Sequence, residues 1–232
     1  MKTTSKNPIE IRLPFTDIVI PQSSLAVVAG RPGMGCSAYL KEIILQNQDK
    51  LCFAYFPGQS LDRFVPMNTY PVYVSFDENR DIEAFKTAFI VDMERKNPDY
   101  VLIDQIERLT ASRPNSESDS YHDKIIDVIY SACKETRLPI IISSHVYASA
   151  DERGGDRRPE LQDINNSALE IYSDVILGLY RPAYYGIEVD EKGNNVEGFA
   201  EAIALKNSFG KQRSYQFGYD EDNQSFHSTG GK

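Results

Sequence analysis

The chain has 232 residues and a formal net charge of −9, from 25 Lys and Arg against 34 Asp and Glu. Its 41% apolar content supports a buried core, while the acidic balance argues against a generally basic surface that grips nucleic acid. The three cysteines, Cys36, Cys52 and Cys133, fall at unrelated spacings, which indicates neither a disulfide framework nor a zinc site. No signal-peptide core and no apolar run of about 18 residues occurs, so we expect a cytoplasmic protein without a membrane span.

Short apolar runs rich in β-branched residues predict buried strands. They cover residues 24–30, 51–56, 70–76, 100–104, 139–144 and 173–180. Between several of them, apolar residues recur at three- and four-residue spacing, as in "SAYLKEIILQNQ", "DIEAFKTAFIVDMERKN" and "DKIIDVIYSACKETR". This alternation predicts right-handed βαβ units, and hence an α/β fold with a mostly parallel sheet and helices on both faces.

The C-terminal part has a different pattern. "GFAEAIALKN" and "SYQFGYDE" predict two strands joined by "SFGKQR", which form an antiparallel hairpin on the sheet edge. No internal repeat, long linker or composition break occurs, so we expect one domain over residues 1–232. Residues 1–14 are expected to form a flexible N-terminal arm, and residues 226–232 a disordered tail.

The stretch "VVAGRPGMGCSAYL", residues 27–40, has the layout of a phosphate-binding loop, G-x-x-x-x-G-K-[ST], between a strand and a helix. Backbone N–H groups of such a loop hold phosphate, and its Ser or Thr hydroxyl binds Mg²⁺. The candidate cofactor-binding residues are therefore Gly30, Arg31, Pro32, Gly33, Met34, Gly35, Cys36 and Ser37. ATP with Mg²⁺ is the expected ligand, bound weakly or not at all. A structural turn with no ligand is the alternative.

The lysine of the pattern is replaced by Cys36. Because charge-assisted hydrogen bonds contribute about 1.5–3 kcal/mol each, its loss predicts roughly ten- to hundredfold weaker nucleotide binding or worse. A helix N-terminus lowers the pKa of a thiol, so we also expect any thiolate formed at Cys36 to repel phosphate.

Polar residues end several of the predicted strands, at the edge where ligands gather in such folds. Asp104 follows "YVLI" and, with Ser37, is a candidate Mg²⁺ ligand. Ser144 and His145 end "PIIISSH"; His145 either senses a γ-phosphate or is a hydrogen-bonded loop residue. Asp77 and Glu78 follow "YPVYVSF" and act either as a base for water or as a helix cap. Asp104 and His145 are candidate vestigial catalytic residues, and no catalytic residue is assigned outright.

In order, these motifs resemble the RecA-like C-terminal domain of DnaB-type replicative helicases over nearly the whole chain. "SSLAVVAGRPGMGCSAYLKEI" is similar to the family's phosphate-binding segment, "YVLIDQIERL" to its Walker B strand, and "LPIIISSHVYAS" to its sensor strand. The stretch "RRPELQDINNSALEIYSDVILGLYRPAYYG" resembles the family's segment ending in L-Y-R-x-x-Y-Y, and "AIALKNSFG" its K-x-R-x-G turn. The resemblance implies a RecA-like nucleotide-binding fold and adds Arg181, of the L-Y-R segment, to the candidate nucleotide ligands.

Several positions depart from the family's pattern. Besides Cys36, the family's glutamate that polarises water is missing after "LCFAYF", where Pro57 and Gly58 follow. His145 stands where the family has its sensor glutamine, and Ser208 stands where it has its arginine finger. The segment before the next strand is reduced to "GQSLDRFVPMNT", and we expect no N-terminal primase-binding domain. Because an arginine finger alone is worth about 10³–10⁵ in rate, these departures predict a degenerate ATPase.

Three functions fit this pattern. The first is a non-hydrolysing scaffold or regulator that docks on a protein partner in replication or mobile-element machinery. The second is an active helicase or translocase in which Lys211 or Arg213 replaces the finger. The third is a single-stranded nucleic-acid-binding module that uses "SRPNS" and "ERGGDRR". Weakened nucleotide binding and a missing finger predict a monomer or small oligomer in solution.

Overall fold

A computed structural model describes residues 8–56, 72–75, 82–109, 118–152, 157–164, 166–190 and 192–229. Within these ranges, nine strands form one sheet. They are β3 (Leu25–Gly30), β4 (Cys52–Tyr55), β5 (Val72–Ser75), β6 (Tyr100–Ile103), β7 (Ile140–His145), β8 (Val175–Tyr180), β9 (Phe199–Asn207), β10 (Ser214–Asp220) and β11 (Ser225–His227). Two further strands, β1 (Glu10–Arg12) and β2 (Val19–Pro21), form an antiparallel pair.

The strand order in the sheet is β11-β10-β9-β8-β3-β7-β6-β4-β5. The six strands from β8 to β5 run parallel, and β9, β10 and β11 continue the sheet with antiparallel pairing. The predicted α/β class, the mostly parallel sheet and the C-terminal antiparallel hairpin are confirmed. The hairpin extends to a third strand, β11, which was not predicted.

Helices α1 (Cys36–Gln46), α2 (Ile82–Lys96) and α3 (Ser118–Thr136) connect successive strands, and two short helices follow, α4 (Ser149–Glu152) and α5 (Ser167–Tyr172). The central strand β3 is buried along its whole length because both of its faces are covered. On one face Ala26 and Val28 share a core with Tyr39 of α1. On the other face Val27 shares a core with Ile129 of α3. None of the helices described is long and apolar enough to cross a membrane.

Both chain ends depart from the expected arm and tail. Ile11 of β1 is fully buried, and the side-chain amide of Asn47 bonds the backbone of Arg12 in both directions, at 3.0 and 2.9 Å. At the other end Phe226 of β11 is 5% exposed, with its ring 5.9 Å from that of Tyr39. Ile11 and Phe226 therefore pack in the core, although they belong to the segments that were expected to form the arm and the tail.

Strand register determines which polar residues meet at the carboxyl edge of the parallel strands. Gly30 of β3 is paired with His145 of β7, and Ile103 of β6 with Ile142 of β7. Asp104, the residue after β6, therefore lies beside Ser143. The glycine-rich loop leaves β3 at this same edge.

Candidate nucleotide-binding site

The glycine-rich loop joins β3 to α1 as predicted. Gly33 and Gly35 have φ angles of +87° and +101°, a region that a residue with a side chain rarely adopts. Gly35 caps α1, which begins at Cys36, one residue before the predicted start. The first backbone N–H groups of a helix have no partner within it, so this end of α1 can receive an anion.

The loop side chains divide between the core and a polar cleft of about 330 Å³. Met34 is 1% exposed and belongs to the core, so only its backbone is available to a ligand. Gly30 lies under Cys36, since a Cβ at Gly30 would be 3.0 Å from the Cys36 sulfur. The other candidates of the loop line the cleft, together with His145 and Arg181; they are Arg31, Pro32, Gly33, Gly35, Cys36 and Ser37.

Cys36 is partly buried, in the position where the phosphate-loop pattern has lysine. Burial raises the pKa of the Cys36 thiol above its ordinary value of 9.0, and the nearby carboxylates of Asp104 and Glu107 raise it further. The expectation of a lowered thiol pKa, and hence of a thiolate, is therefore wrong. Desolvation and two neighbouring negative charges outweigh the helix N-terminus, so a neutral thiol replaces the lysine charge.

Three side chains form an oxygen cluster beside the loop: Ser37, Asp104 and Ser143. Asp104 is fully buried; Ser37 Oγ donates a 2.8 Å hydrogen bond to its Oδ2, and Ser143 Oγ a 2.5 Å bond to its Oδ1. Sequence reasoning found Ser37 and Asp104 but missed Ser143. The available signal was that Ser143 is the first of three polar residues that end β7.

The oxygen cluster fits the expected Mg²⁺ chemistry in part. Hydroxyl and carboxylate oxygens are the ligands that Mg²⁺ prefers, and the ion usually adds waters and phosphate oxygens to one or two protein ligands. Within the described residues no group of three or more His, Cys, Asp or Glu side chains could hold a metal by itself. Ser37 and Asp104 would therefore hold Mg²⁺ only together with a nucleotide.

Two arginines, Arg31 and Arg181, line the same cleft. With the acids that bind them, Asp151 and Glu221, they form an arginine cluster. Arg31 Nε lies 2.9 Å from Asp151 Oδ2, and Arg31 Nη1 donates to Val146 O at 3.1 Å. Arg181 Nη2 lies 2.6 Å from Glu221 Oε1. Sequence reasoning placed both arginines in the site but missed both acids, which come from distant segments.

His145 lies at the cleft, as predicted, and is held by Glu107. The backbone N–H of His145 and the hydroxyl of Ser144 both donate to Glu107 Oε1, each at 2.6 Å. The imidazole Nδ1 of His145 is 3.8 Å from Glu107 Oε2. Glu107 was not predicted as a site residue, although it follows Asp104 by three positions.

The residue at the arginine-finger position lies far from this cleft. Ser208 follows β9 next to the start of β8, where Asn207 pairs with Val175, and its N–H donates to Asp174 O at 2.9 Å. That is the amino edge of the parallel strands, opposite the glycine-rich loop. Arg213, one proposed substitute, is half exposed and binds Asp17 at 3.2 Å. From this edge, Ser208 and Arg213 can face only the cleft of another molecule.

Some predicted features lie outside the described residues. These are Pro57, Gly58, Asp77, Glu78, the segments "GQSLDRFVPMNT" and "SRPNS", and most of "ERGGDRR". The end of the last segment is described. Arg157 lies over the Tyr185 ring at 5.1 Å, and Arg158 binds Glu201 at 2.6 Å.

Comparison with known families agrees with the motif order. The model of the DnaB-like helicase C-terminal domain matches residues 58–228. The chain belongs to this family. The matched range includes Asp104, His145 and Arg181 but begins after the glycine-rich loop.

Individual relatives show the extent of the likeness. The chain is 33% identical to the replicative DNA helicase DnaB of Rhodothermus marinus over 102 residues, which are 44% of this chain and 9% of that protein. It is 24% identical to a probable plasmid replicative DNA helicase of Chlamydia psittaci over 230 residues, 83% of this chain and 49% of that protein. The chain thus spans less than half the length of either relative.

Two solved structures share the fold of this DnaB-like domain. One is a DnaB-like replicative helicase, described with its interactions with primase; its TM-score is 0.76 at 16% identity, over 90% of this chain and 58% of that one. The other is a separately solved ATPase domain, with a TM-score of 0.75 at 17% identity over 90% of this chain and 86% of that one. They confirm the predicted RecA-like architecture.

Proposed function

We propose that this DnaB-like domain is a degenerate P-loop protein, which acts as a non-hydrolysing scaffold or regulator in replication or mobile-element machinery. It binds ATP with Mg²⁺ weakly or not at all. The observation that carries the proposal is that Cys36 lines the cleft at the loop position where the pattern has lysine, with the carboxylates of Asp104 and Glu107 as its charged neighbours. Negative charge at this point opposes a triphosphate, where a lysine would attract it.

The arginine cluster supports the same conclusion. Phosphoryl transfer is catalysed chiefly by positioning and by cations that neutralise the developing charge. In the described part of the cleft the arginines are Arg31 and Arg181, and each binds a carboxylate of this chain. A nucleotide must therefore compete with Asp151 and Glu221 for both of them.

A second candidate is an active helicase or translocase, and the oxygen cluster favours it. Ser37 and Asp104 are present and in contact, so the Mg²⁺ side of the site remains suited to a nucleotide. In a ring, Lys211 or Arg213 at the opposite sheet edge would serve a neighbour's cleft. This candidate requires ATP turnover and a ring, whereas we propose a monomer or small oligomer.

The proposed partner is a protein of the replication machinery, because the relatives are described as replicative helicases and one of them interacts with primase. Weak binding to single-stranded DNA is a lesser part of the proposal. We expect this binding to be weak because Arg158, which could contact a DNA phosphate, already forms an ion pair with Glu201. A salt titration of single-stranded DNA binding measures how many phosphates the protein contacts.

The deciding experiment is an ATPase assay of the purified protein with Mg²⁺, with and without single-stranded DNA, beside an active DnaB-like helicase domain. We expect turnover at least about 10³-fold below the active domain, the lower end of what an arginine finger alone contributes. Light scattering in the same buffers should show no ring in the presence of ATP. Turnover near that of the active domain, together with a ring, would establish the motor instead.

A further inference from the structure

A short turn closes one side of the cleft. It spans residues 221–224, between β10 and β11, and both Glu221 and Gln224 line the cleft. The turn is held by Asp220, whose carboxylate accepts hydrogen bonds from the backbone N–H and side-chain amide of Asn223 at 3.0 and 2.7 Å. The position of Glu221 follows from this turn.

The guanidinium of Arg181 is buried at this side of the cleft, and Glu221 provides its carboxylate partner. The Arg181 side chain is 6% exposed, whereas that of Glu221 is 58% exposed. A buried cation is costly unless oxygen atoms surround it. The Glu221 carboxylate therefore occupies the place where an oxygen of an anionic ligand would bind.

The rest of the Arg181 guanidinium is engaged as well. Its Nη1 donates to Gly33 O in the glycine-rich loop at 3.3 Å, and its Cζ lies 3.7 Å from the centroid of the Tyr219 ring. One edge of the guanidinium thus holds the loop, and one face is covered. The edge that Glu221 occupies is the one a phosphate oxygen can take without disturbing the loop.

We propose that Glu221 is an internal anion that occupies Arg181 and sets the selectivity of the cleft against phosphate-bearing ligands. This inference rests on the proposed assignment of the cleft as a nucleotide site. Because Glu221 is largely exposed, its carboxylate can move aside without unfolding of the domain, and its contribution is modest. Glu221 thus lowers the affinity for nucleoside di- and triphosphates beyond the effect of Cys36.

The test is calorimetric titration with inorganic pyrophosphate, and separately with ATP and Mg²⁺, of the wild type and the variant Glu221→Gln. We expect the variant to bind pyrophosphate about three- to tenfold more tightly. The matched control is Asp222→Asn, which removes the same charge from the next exposed residue of the turn and should change the affinity by less than about twofold. In a protein that already carries Arg181→Gln, adding Glu221→Gln should not increase the pyrophosphate affinity.

Equal pyrophosphate affinities of the wild type and Glu221→Gln would overturn the proposal, and so would equal gains from Glu221→Gln and Asp222→Asn. Thermal melting of each variant checks that it is folded; if Arg181→Gln does not fold, the comparison of the two acids decides. Failure of the nucleotide assignment looks different. In that case Glu221→Gln gains pyrophosphate affinity while no variant, including Cys36→Lys, binds ATP.

Discussion

The oxygen cluster and the arginine cluster lie at one cleft but use their charged groups differently. In the oxygen cluster, Ser37 and Ser143 donate to the buried carboxylate of Asp104, an arrangement that also suits Mg²⁺. In the arginine cluster, Arg31 and Arg181 bind acids of the same chain. The carboxylate of the oxygen cluster thus accepts hydrogen bonds from hydroxyl groups, whereas both cations of the arginine cluster are already engaged in ion pairs within the chain.

Cys36 lines the same cleft, at the loop position where the phosphate-loop pattern has lysine. A lysine here would add one cation that the fold does not already engage, next to the oxygen cluster. The thiol adds none, and its pKa is raised by burial and by Asp104 and Glu107. Substitutions at Gly35 and at Cys36 test how the loop and its missing charge affect the two clusters.

The largest effect is expected from Gly35→Ala, which disturbs both clusters by changing the loop that positions them. Gly35 has φ of +101°, and a Cβ there would lie 2.8 Å from Phe226 Cζ. Since Phe226 is buried against the rings of Tyr39 and Tyr219, it cannot move aside freely. We expect a loss of about 3 kcal/mol in the free energy of unfolding, measured by urea denaturation.

The matched control for this change is Gly193→Ala. Gly193 also has a positive φ, +82°, but a Cβ there would meet nothing within 4 Å. Gly193→Ala should lower the free energy of unfolding only by the cost of a left-handed backbone conformation, about 1 kcal/mol. If both variants lose the same free energy, Phe226 can make room for a Cβ at position 35 without cost.

The second change, Cys36→Lys, places a positive charge, on a longer side chain, at the loop position that Cys36 occupies. Restoring one charge-assisted hydrogen bond, worth about 1.5–3 kcal/mol, should tighten ATP binding with Mg²⁺ by roughly ten- to hundredfold in a calorimetric titration. Turnover should stay low, since neither the finger nor the water-activating acid returns. Cys36→Gln, similar in length but neutral, is the control and should bind as weakly as the wild type. A gain in the glutamine variant would show that size rather than charge limits binding.

The third and smallest change concerns the Cys36 thiol at high pH. Its pKa in the folded protein is raised above the ordinary 9.0, so the unfolded chain loses this proton first. The stability that the neutral thiol contributes is therefore complete below pH 9.0 and falls as the pH rises above it. Other buried thiols and tyrosines act in the same direction, among them Cys52 and Tyr100.

Replacing the thiol isolates its share of that effect. In urea denaturation above pH 9.0, Cys36→Ala should reduce the pH slope of the unfolding free energy by up to about 1.4 kcal/mol per pH unit. Below about pH 8 the slopes of the two proteins should coincide. Identical slopes at high pH would mean that the folded protein titrates this thiol normally.

The α/β class and the central strands could be predicted from local sequence patterns. Runs such as "LAVVAG" are buried on both faces, and this local property shows in the composition of β3 alone. The loop from Gly30 to Ser37 and the approach of Asp104 to it were also predictable, because parallel strands end at the same edge of a sheet. Strands β1, β2 and β11 were missed because three residues are too few to show alternation.

The partners of the charged residues in the cleft became visible only in the folded structure. Asp151 is 120 residues from Arg31, and Glu221 is 40 residues from Arg181, so no local pattern predicts either ion pair. The direction of the Cys36 pKa shift was likewise not predictable from local sequence. Its place at a helix N-terminus is visible in sequence and lowers a thiol pKa, but burial and the carboxylates of Asp104 and Glu107 raise it further than that. Desolvation and Coulomb interactions depend on distances in three dimensions, which only the packing of distant segments sets.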